Sequence, residues 1–144
     1  MEKQYFEVKV QYVQWNETKE KDEKQSESYV FNSVNFGDAE KEAYKLIEEY
    51  KLRDAVIKAI KPIQLSDIIF ENKNDDTDEN ELNWFKAKIA IKNEEDEKKQ
   101  ILNILIQAKY LQNTYNKINN LYSNFDYTIN NVIGTDIFNV VISE

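Results

Sequence analysis

The chain contains no cysteine and no histidine, and only 2 glycines and 1 proline. Without cysteine there is no disulfide, iron–sulfur cluster or thiolate zinc site. Without histidine, histidine-based catalytic triads and imidazole metal ligands are excluded. So few glycines cannot form a glycine-rich phosphate-binding loop. Most familiar enzyme classes are therefore excluded, and we expect a non-enzymatic protein that uses no cofactor and no metal.

Long apolar segments are also lacking, since no run approaches the ~20 residues that span a bilayer. A strand-like pattern begins at Tyr5, so we expect no signal peptide, no membrane partner and a cytoplasmic location. Hydrophobic residues nevertheless make up 41% of the chain, which is enough to build a folded core.

The net charge is -8, with 27 acidic and 19 basic residues. Such a charge repels polyanions, so it disfavours non-specific binding to nucleic acid or to anionic membranes. It favours a basic partner surface or imitation of nucleic acid. A highly charged surface that serves solubility alone remains the alternative.

The strongest organisational signal is an internal repeat. Tyr5–Val10 is similar to Trp84–Ile89, and Tyr29–Asn32 is similar to Ile104–Gln107, in the same order along the chain. Matches in a conserved order, with differences of length confined to loops, are typical of duplication.

Each copy follows a strand, strand, helix, strand pattern. In the first copy we expect a strand through Phe6–Tyr12, a charged hairpin loop over 16–27, a strand at 29–34, a helix from Phe36 with Asp38 as N-cap, and a strand at 55–63. In the second we expect strands at 83–92 and 101–109, a helix at 113–123 capped by Gln112 or Asn113, and a strand at 127–133. Two short apolar segments, 65–70 and 137–142, are predicted as an extra strand at the end of each copy.

The helical spacing predicts which faces are buried. The expected stripes are Ala39, Ala43, Leu46, Ile47 and Tyr50 in the first helix, and Tyr115, Ile118, Leu121 and Tyr122 in the second.

The fold class is therefore α+β, with two tandem ββαβ repeats that form a pseudo-twofold compact unit containing an antiparallel sheet and two helices. The first repeat covers residues 1–70, an acidic linker covers 71–82, and the second repeat covers 83–144. Each copy is small and would be marginally stable alone, so we expect one compact globular unit with a shared sheet or core. Two loosely joined domains are the alternative.

These patterns resemble an uncharacterised domain family of Bacteroidetes bacteria, their prophages and their phages. The residues that carry the resemblance are Tyr5–Val10, Tyr29–Phe31, Phe36–Glu40 and Trp84–Lys88. The sequence departs from the family pattern at Gln112–Thr114, where an acidic helix start is expected. The resemblance implies a phage or prophage setting in a bacterial host cell, and it implies no catalytic residues.

One candidate binding face combines aromatic and lysine side chains on the outward side of two strands. If Phe85, Ala87 and Ile89 face inward, their neighbours face outward. The face comprises Tyr5, Lys9, Trp15, Trp84, Lys86, Lys88 and Lys92. Aromatic rings that stack bases, beside lysines that hold phosphates, are typical of single-strand nucleic-acid binders. The alternative is that the rings cover a sheet edge while the lysines keep the face soluble.

A second candidate surface is acidic and consists of Glu48, Glu49, Glu94, Glu95, Asp96 and Glu97. Our leading interpretation is a phage or prophage accessory protein that binds a protein partner and modulates or inhibits host machinery. The alternatives are the nucleic-acid face and a minor structural component of a virion. Exposed sheet edges such as 65–70 also allow a homodimer.

Two further patterns of acidic residues do not indicate a metal site or a catalytic site. The acidic run 74–81 begins like a calcium loop at Asp76, but Glu81 replaces the required glycine and Ala87 the final glutamate. We interpret it as a solvated linker. Asp67 and Asp136 lie near the ends of corresponding strands, where a carboxylate pKa could be perturbed, but turn or cap roles explain them.

Overall fold

The computed structural model describes residues 2–74 and 77–142, and it is an α+β structure dominated by strands. Its elements are β1 (Gln4–Asn16), β2 (Lys21–Ser33), α1 (Phe36–Glu49), β3 (Arg53–Ile63), β4 (Asp67–Ile69), a short 3₁₀ helix (Glu79–Glu81), β5 (Asn83–Lys92), β6 (Lys99–Ala108), α2 (Leu111–Tyr122), β7 (Asp126–Gly134) and β8 (Ile137–Val141). None of the described helices is long and apolar enough to cross a membrane.

The chain folds as two compact units rather than around one continuous sheet. Unit 1 consists of Met1–Gln64 together with Asp136–Glu144, and unit 2 consists of Leu65–Thr135. Unit 2 begins before β4, within the predicted first repeat, and unit 1 takes β8 from the predicted second repeat.

Unit 1 contains a four-stranded sheet in the order β3-β1-β2-β8. The β1–β2 and β1–β3 pairs are antiparallel, whereas β2 and β8 run parallel. Helix α1 packs on one face of this sheet, where the small residues Ala39 and Ala43 are fully buried and allow close approach. The rest of this core is Phe6, Val8, Val10, Tyr29, Phe31 and Leu46.

Unit 2 contains a second four-stranded sheet in the order β4-β6-β5-β7. Strand β5 pairs antiparallel with β6 and β7, and β4 pairs parallel with β6. Its helix-facing core is Ala87, Ile89, Ile104, Ile106, Ile118 and Tyr122. The predicted inward set on β5 is confirmed for Phe85, Ala87 and Ile89, which are all buried.

The sequence pattern predicts that each short strand belongs to the copy that it ends, and the structure shows that this prediction is wrong. Strand β4, from the predicted segment 65–70, pairs with β6 in unit 2. Strand β8, from the segment 137–142, pairs with β2 in unit 1. Hydrophobic alternation gives the face of a strand but not its pairing partner, so the sequence could not distinguish these arrangements.

The charged segment 16–27 is mostly strand, which corrects the predicted long loop. Strands β1 and β2 continue in register to the Asn16–Lys21 pair, so only the four residues 17–20 form the turn. The charged side chains are accommodated because they pair along the ribbon, as in the Lys19–Glu23 ion pair at 3.2 Å. Glu20 has a φ of 50°, the left-handed conformation that closes the turn.

Helix α1 begins at Phe36 and its N-cap is Asn35, not the predicted Asp38. The Asn35 Oδ1 atom accepts a hydrogen bond from the Asp38 backbone N–H at 2.9 Å. The Asp38 carboxylate in turn accepts from the Val34 N–H at 3.1 Å. Asp38 therefore reaches back over the cap from the first turn, in the manner of a capping box.

We predict that Asn35→Ala lowers the free energy of unfolding by about 1 kcal/mol, because a cap acceptor is lost. Asn35→Asp keeps an acceptor at the same place and should stay close to wild type. Urea unfolding followed by circular dichroism measures both variants. Equal stabilities for the alanine and aspartate variants would show that the side-chain cap does not stabilise α1.

Helix α2 begins at Leu111, two residues before the predicted start, with Tyr110 as its N-cap. The Asn113 side chain accepts from the Tyr110 backbone N–H at 3.2 Å. The buried stripe is Thr114, Ile118 and Tyr122. Tyr115 and Leu121, predicted to be buried, are 38% and 49% exposed. The apolar residues of this segment fit two helical faces, and packing selects the face that carries Thr114.

Candidate functional site

The aromatic and lysine residues predicted on the first strand lie on β1 in unit 1. Lys9 is exposed, and Tyr5 is half-buried. Trp15 is 55% exposed near the end of the strand. These three residues follow the alternation opposite to the buried Phe6, Val8 and Val10, as the sequence pattern predicted.

The corresponding residues of β5 do not form the predicted aromatic platform. Trp84 is only 2% exposed, and its ring packs edge-on against Phe70 with a centroid separation of 5.4 Å. Lys86 is half-buried, whereas Lys88 and Lys92 are exposed. The structure thus removes Trp84 from any base-stacking surface, because its ring is already covered.

Glu48 and Glu49 are exposed at the carboxyl end of α1. The last turn of this helix carries no basic residue. The helix dipole is negative at this end, so both carboxylates add to a negative potential that nothing in the turn offsets. A cation from a binding partner would be stabilised there.

The predicted acidic residues of the second copy form the turn between β5 and β6. The turn is shaped by side-chain acceptors, since Asn93 Oδ1 accepts from the Glu95 N–H and Asp96 Oδ1 accepts from the Lys98 N–H, both at 3.0 Å. Glu97 adopts a left-handed φ of 57°. Asp96 therefore has a structural role in the turn, and Glu94 and Glu95 are the residues best placed for binding.

Glu94 and Glu95 line a surface depression of about 460 Å³ in unit 2. Its lining residues are Ile91, Lys92, Asn93, Glu94, Glu95, Gln100, Asn124, Phe125 and Asp126. We call this feature the hairpin depression. It brings together Lys92, Glu94 and Glu95 from the two sequence-predicted sets, together with residues from the start of β7.

Phe125 and Asp126 were not singled out in the sequence, yet they complete the hairpin depression. Phe125 is 56% exposed, and its ring contacts the buried Tyr122 ring at a centroid distance of 6.1 Å. A lone phenylalanine between Asn124 and Asp126 in a turn is the signal that could have identified it. Phe125 is far along the chain from the β5–β6 turn, so the sequence does not show that the two lie in the same depression.

The hairpin depression has the chemistry of a receptor for a basic side chain. Three carboxylates, from Glu94, Glu95 and Asp126, line the depression together with an exposed aromatic ring, and Lys92 is the one cation among the lining residues. Carboxylates attract a lysine or arginine, and the face of Phe125 can contact its apolar stem or its cationic group.

A second polar constellation lies on the helix-facing side of the unit 1 sheet. The Glu27 carboxylate accepts hydrogen bonds from the hydroxyls of Tyr12 at 2.7 Å and Tyr29 at 2.6 Å. Burial, followed by the hydrogen bond to Glu27, raises the pKa of Tyr12 to about 12. The same two causes raise the pKa of Tyr29. Both donors are satisfied within the fold, so this network is structural.

The remaining candidates for chemistry have local roles. Asp67 accepts a hydrogen bond from the following Ile68 N–H at 2.8 Å. The Asp136 carbonyl accepts from the Ser28 N–H at 3.1 Å. In the acidic run, Asp78 caps the 3₁₀ helix through the Asn80 N–H, while Asp75 and Asp76 lie outside the described residues. Within the described part of the chain, no group of three or more acidic residues could hold a metal ion.

Comparison with known proteins identifies a family for nearly the whole chain. The family model described as Domain of unknown function (DUF4494) matches residues 4–143. A search of the curated proteins finds no match.

Proposed function

This chain belongs to the DUF4494 family, and we propose that it acts by binding a protein partner rather than by catalysing a reaction. The observation that carries this proposal is the hairpin depression, which Glu94, Glu95 and Asp126 line together with the exposed ring of Phe125. An exposed aromatic side chain within a field of one charge is typical of a protein-binding surface. The proposed partner presents a lysine or arginine to it.

The biological setting that we propose is a phage or prophage accessory protein in the cytoplasm of a bacterial host, where it modulates or inhibits host machinery. This setting is supported by the sequence resemblance to domains of Bacteroidetes and their phages. The net charge of -8 supports a basic partner surface.

A duplication of one ββαβ ancestor is the second part of the proposal. It is supported by the matching sequence segments and by the element order strand, strand, helix, strand in β1–β3 and again in β5–β7. In both units a short parallel strand from beyond that set completes the sheet. Divergence of the two copies would leave each unit with its own binding surface.

The nucleic-acid alternative loses its main support with the burial of Trp84. Trp15 remains exposed, but its neighbours on the ribbon include acidic residues such as Asp22, its cross-strand partner. Because Asp22 forms an ion pair with Arg53, a single-stranded nucleic-acid path at Trp15 is disfavoured not by this carboxylate but by the net charge of -8, which repels phosphate.

We test the proposal by affinity capture from bacterial host lysate, with and without nuclease, using the full chain. The test variant is Glu94→Lys/Glu95→Lys. The matched control is Glu17→Lys/Glu20→Lys, which makes the same change of net charge in the turn of the β1–β2 hairpin. We expect a discrete stoichiometric protein complex that survives nuclease, is lost with the test variant and is retained by the control.

Three outcomes would contradict the proposal. Capture that disappears with nuclease would indicate nucleic acid. A repeating assembly instead of a discrete complex would indicate a structural component of a virion. Equal loss of capture with both variants would mean that net charge, and not the hairpin depression, determines binding.

A further inference from the structure

Strand β8 is the last strand on one side of the unit 1 sheet in the part of the chain that the structure describes. It pairs parallel with β2 through Asn139, Val140 and Val141. Within residues 2–74 and 77–142, no strand pairs with its other side. An open edge of this kind is the usual acceptor of an extended peptide from a partner.

One backbone donor of β8 forms a hydrogen bond to a side chain. The Val140 N–H donates to the Oδ1 atom of the adjacent Asn139 side chain at 2.9 Å. A ladder N–H would instead donate to a carbonyl of β2. The side-chain acceptor therefore satisfies this N–H locally, and the carbonyl of an added strand can replace it.

A groove of about 260 Å³ runs between β8 and α1. Its lining residues are Phe31, Glu42, Lys45, Leu46, Glu49, Tyr50, Asn139, Val140 and Val141. We call it the β8 groove. Its base is apolar, since Phe31, Leu46 and Val140 are 1%, 5% and 6% exposed. Such a base suits the alternate side chains of a strand lying along the edge.

Two exposed aromatic rings stand beside the β8 groove. Tyr50 is 41% exposed and Phe138 is 55% exposed. Both contact the buried Tyr29 ring edge-on, at centroid distances of 6.3 Å and 5.8 Å. Packing against Tyr29 restrains the two rings, and restrained aromatic rings with exposed area are typical anchors of protein interfaces.

The charge around the β8 groove favours a basic occupant. Glu42 and Glu49 line it from α1, with Lys45 between them as the one basic lining residue. Glu48 and Glu49 lie at the negative end of the helix dipole, where the last turn has no basic residue. The potential over the groove is therefore negative.

Unit 2 shows how the same place is closed by the chain itself. Near its parallel edge strand β4, Lys117 of α2 pairs with Glu71 at 2.9 Å. The Glu71 backbone N–H donates to Gln107 Oε1 at 3.2 Å, and Phe70 packs on Trp84. Strand β8 of unit 1 carries no charged residue, so no ion pair of this kind can join it to α1.

We propose that the β8 groove binds an extended basic segment of a protein partner, which adds to the sheet as a strand alongside β8. The peptide backbone pairs with the edge at Val140, its apolar side chains occupy the groove base, and its basic side chains pair with Glu42 and Glu49. This site deepens the proposed function, on which it rests, by naming the form in which a partner presents its basic residues.

The test uses a fluorescent peptide of about ten residues, matching a typical strand, with alternating lysine and valine. Its binding to the full chain is measured by fluorescence anisotropy. A second peptide carries N-methyl groups on alternate residues, which remove the backbone donors from one edge. We expect the unmodified peptide to bind and the N-methylated peptide to bind at least about tenfold more weakly, a loss of about 1.4 kcal/mol.

Charge reversals locate the peptide on the surface. Glu42→Lys/Glu49→Lys should weaken binding at least about tenfold, whereas Glu17→Lys/Glu20→Lys makes the same change of net charge on the exposed β1–β2 turn and should leave the affinity within about twofold. Asn139→Ala exposes the Val140 N–H and should keep or tighten binding. Circular dichroism checks that each variant is folded.

Several results would overturn the β8 groove as the site. They are absence of binding, equal affinity for the N-methylated peptide, or loss of binding with Glu94→Lys/Glu95→Lys but not with Glu42→Lys/Glu49→Lys, which would place the peptide in the hairpin depression instead. Sedimentation could instead show concentration-dependent dimers that Val140→Pro abolishes. In that case the occupant of the β8 groove is a second copy of this chain and not a segment of a partner. If the peptide does not bind at the β8 groove but a partner is still captured through the hairpin depression, the β8 groove is rejected and the proposed function is retained.

Discussion

Replacing Trp84 by alanine is expected to lower the free energy of unfolding by about 3–5 kcal/mol, the largest effect of any single substitution considered. The side chain is 2% exposed and packs edge-on against Phe70. Its backbone carbonyl also accepts hydrogen bonds from the N–H and hydroxyl of Thr135, at 3.2 Å and 2.8 Å. Removing the ring leaves a cavity between well-ordered neighbours, which is costly because the surroundings relax only in part.

The matched control for this substitution is Trp15→Ala, because that ring is 55% exposed. We expect it to change stability by no more than about 0.5 kcal/mol, as is usual for exposed positions. Urea unfolding followed by far-ultraviolet circular dichroism compares the two variants. A stable Trp84→Ala protein with altered binding to single-stranded DNA would instead support the base-stacking face.

Removing the shared acceptor of two tyrosines is expected to have the second largest effect. Glu27→Ala leaves the hydroxyls of Tyr12 and Tyr29 without their partner, and each lost hydrogen bond at a part-buried site costs about 1–3 kcal/mol. Glu27→Gln keeps an acceptor oxygen and should recover part of the loss. Equal stability of wild type and Glu27→Ala would contradict a stabilising role for this network.

The same network predicts an alkaline loss of stability. The pKa of Tyr12 rises from 10.0 to about 12, first through burial and then through its hydrogen bond to Glu27. As the pH increases above 10, the unfolded chain releases this proton while the folded chain retains it, so the unfolded state is favoured. The stabilisation from Tyr12 is therefore complete below pH 10 and falls between pH 10 and about 12.

Urea unfolding at a series of alkaline pH values measures this loss. The slope of unfolding free energy against pH should be shallower for Tyr12→Phe than for wild type, because the titrating group is gone. Tyr44→Phe removes a hydroxyl from a side chain that is 53% exposed and should keep the wild-type slope. Identical slopes for all three proteins would contradict the raised pKa.

Local sequence patterns predicted much of the secondary structure. Strand β5 has the predicted bounds, because Phe85, Ala87, Ile89 and Ile91 recur at every second position along it. Of the predicted stripe on α1, Ala39, Ala43 and Leu46 are confirmed as buried, whereas the prediction for Tyr50 is wrong, because it caps the end of the helix and is 41% exposed. These elements are decided by neighbours within a few residues, which is the range that periodicity covers.

Pairing over long distances along the chain was beyond such patterns. Strands β4 and β8 have 3 and 5 residues, and nothing in their sequences distinguishes one parallel partner from another. Alternation correctly placed the side chains of Trp84 and Phe85 on opposite faces of β5, but it cannot show that both faces of a strand are buried.

The candidate site was predicted in part for a related reason. Glu94 and Glu95 stand out as a charged run in a turn, and Lys92 belongs to the alternating face of β5. Phe125 and Asp126 reach the same depression only because β7 pairs with β5, which brings Asp126 opposite Lys92. That association depends on the strand register and has no counterpart in the local sequence.

Carboxyl footprinting of the full chain tests the hairpin depression as a protein-binding surface most directly. A carbodiimide couples an amine to accessible carboxylates, and mass spectrometry reads each residue with and without the captured partner. We predict lower labelling of Glu94, Glu95 and Asp126 in the complex, and unchanged labelling of Glu17 and Glu20 on the β1–β2 turn. Unchanged labelling of Glu94, Glu95 and Asp126 in a complex that has formed would contradict binding at this surface.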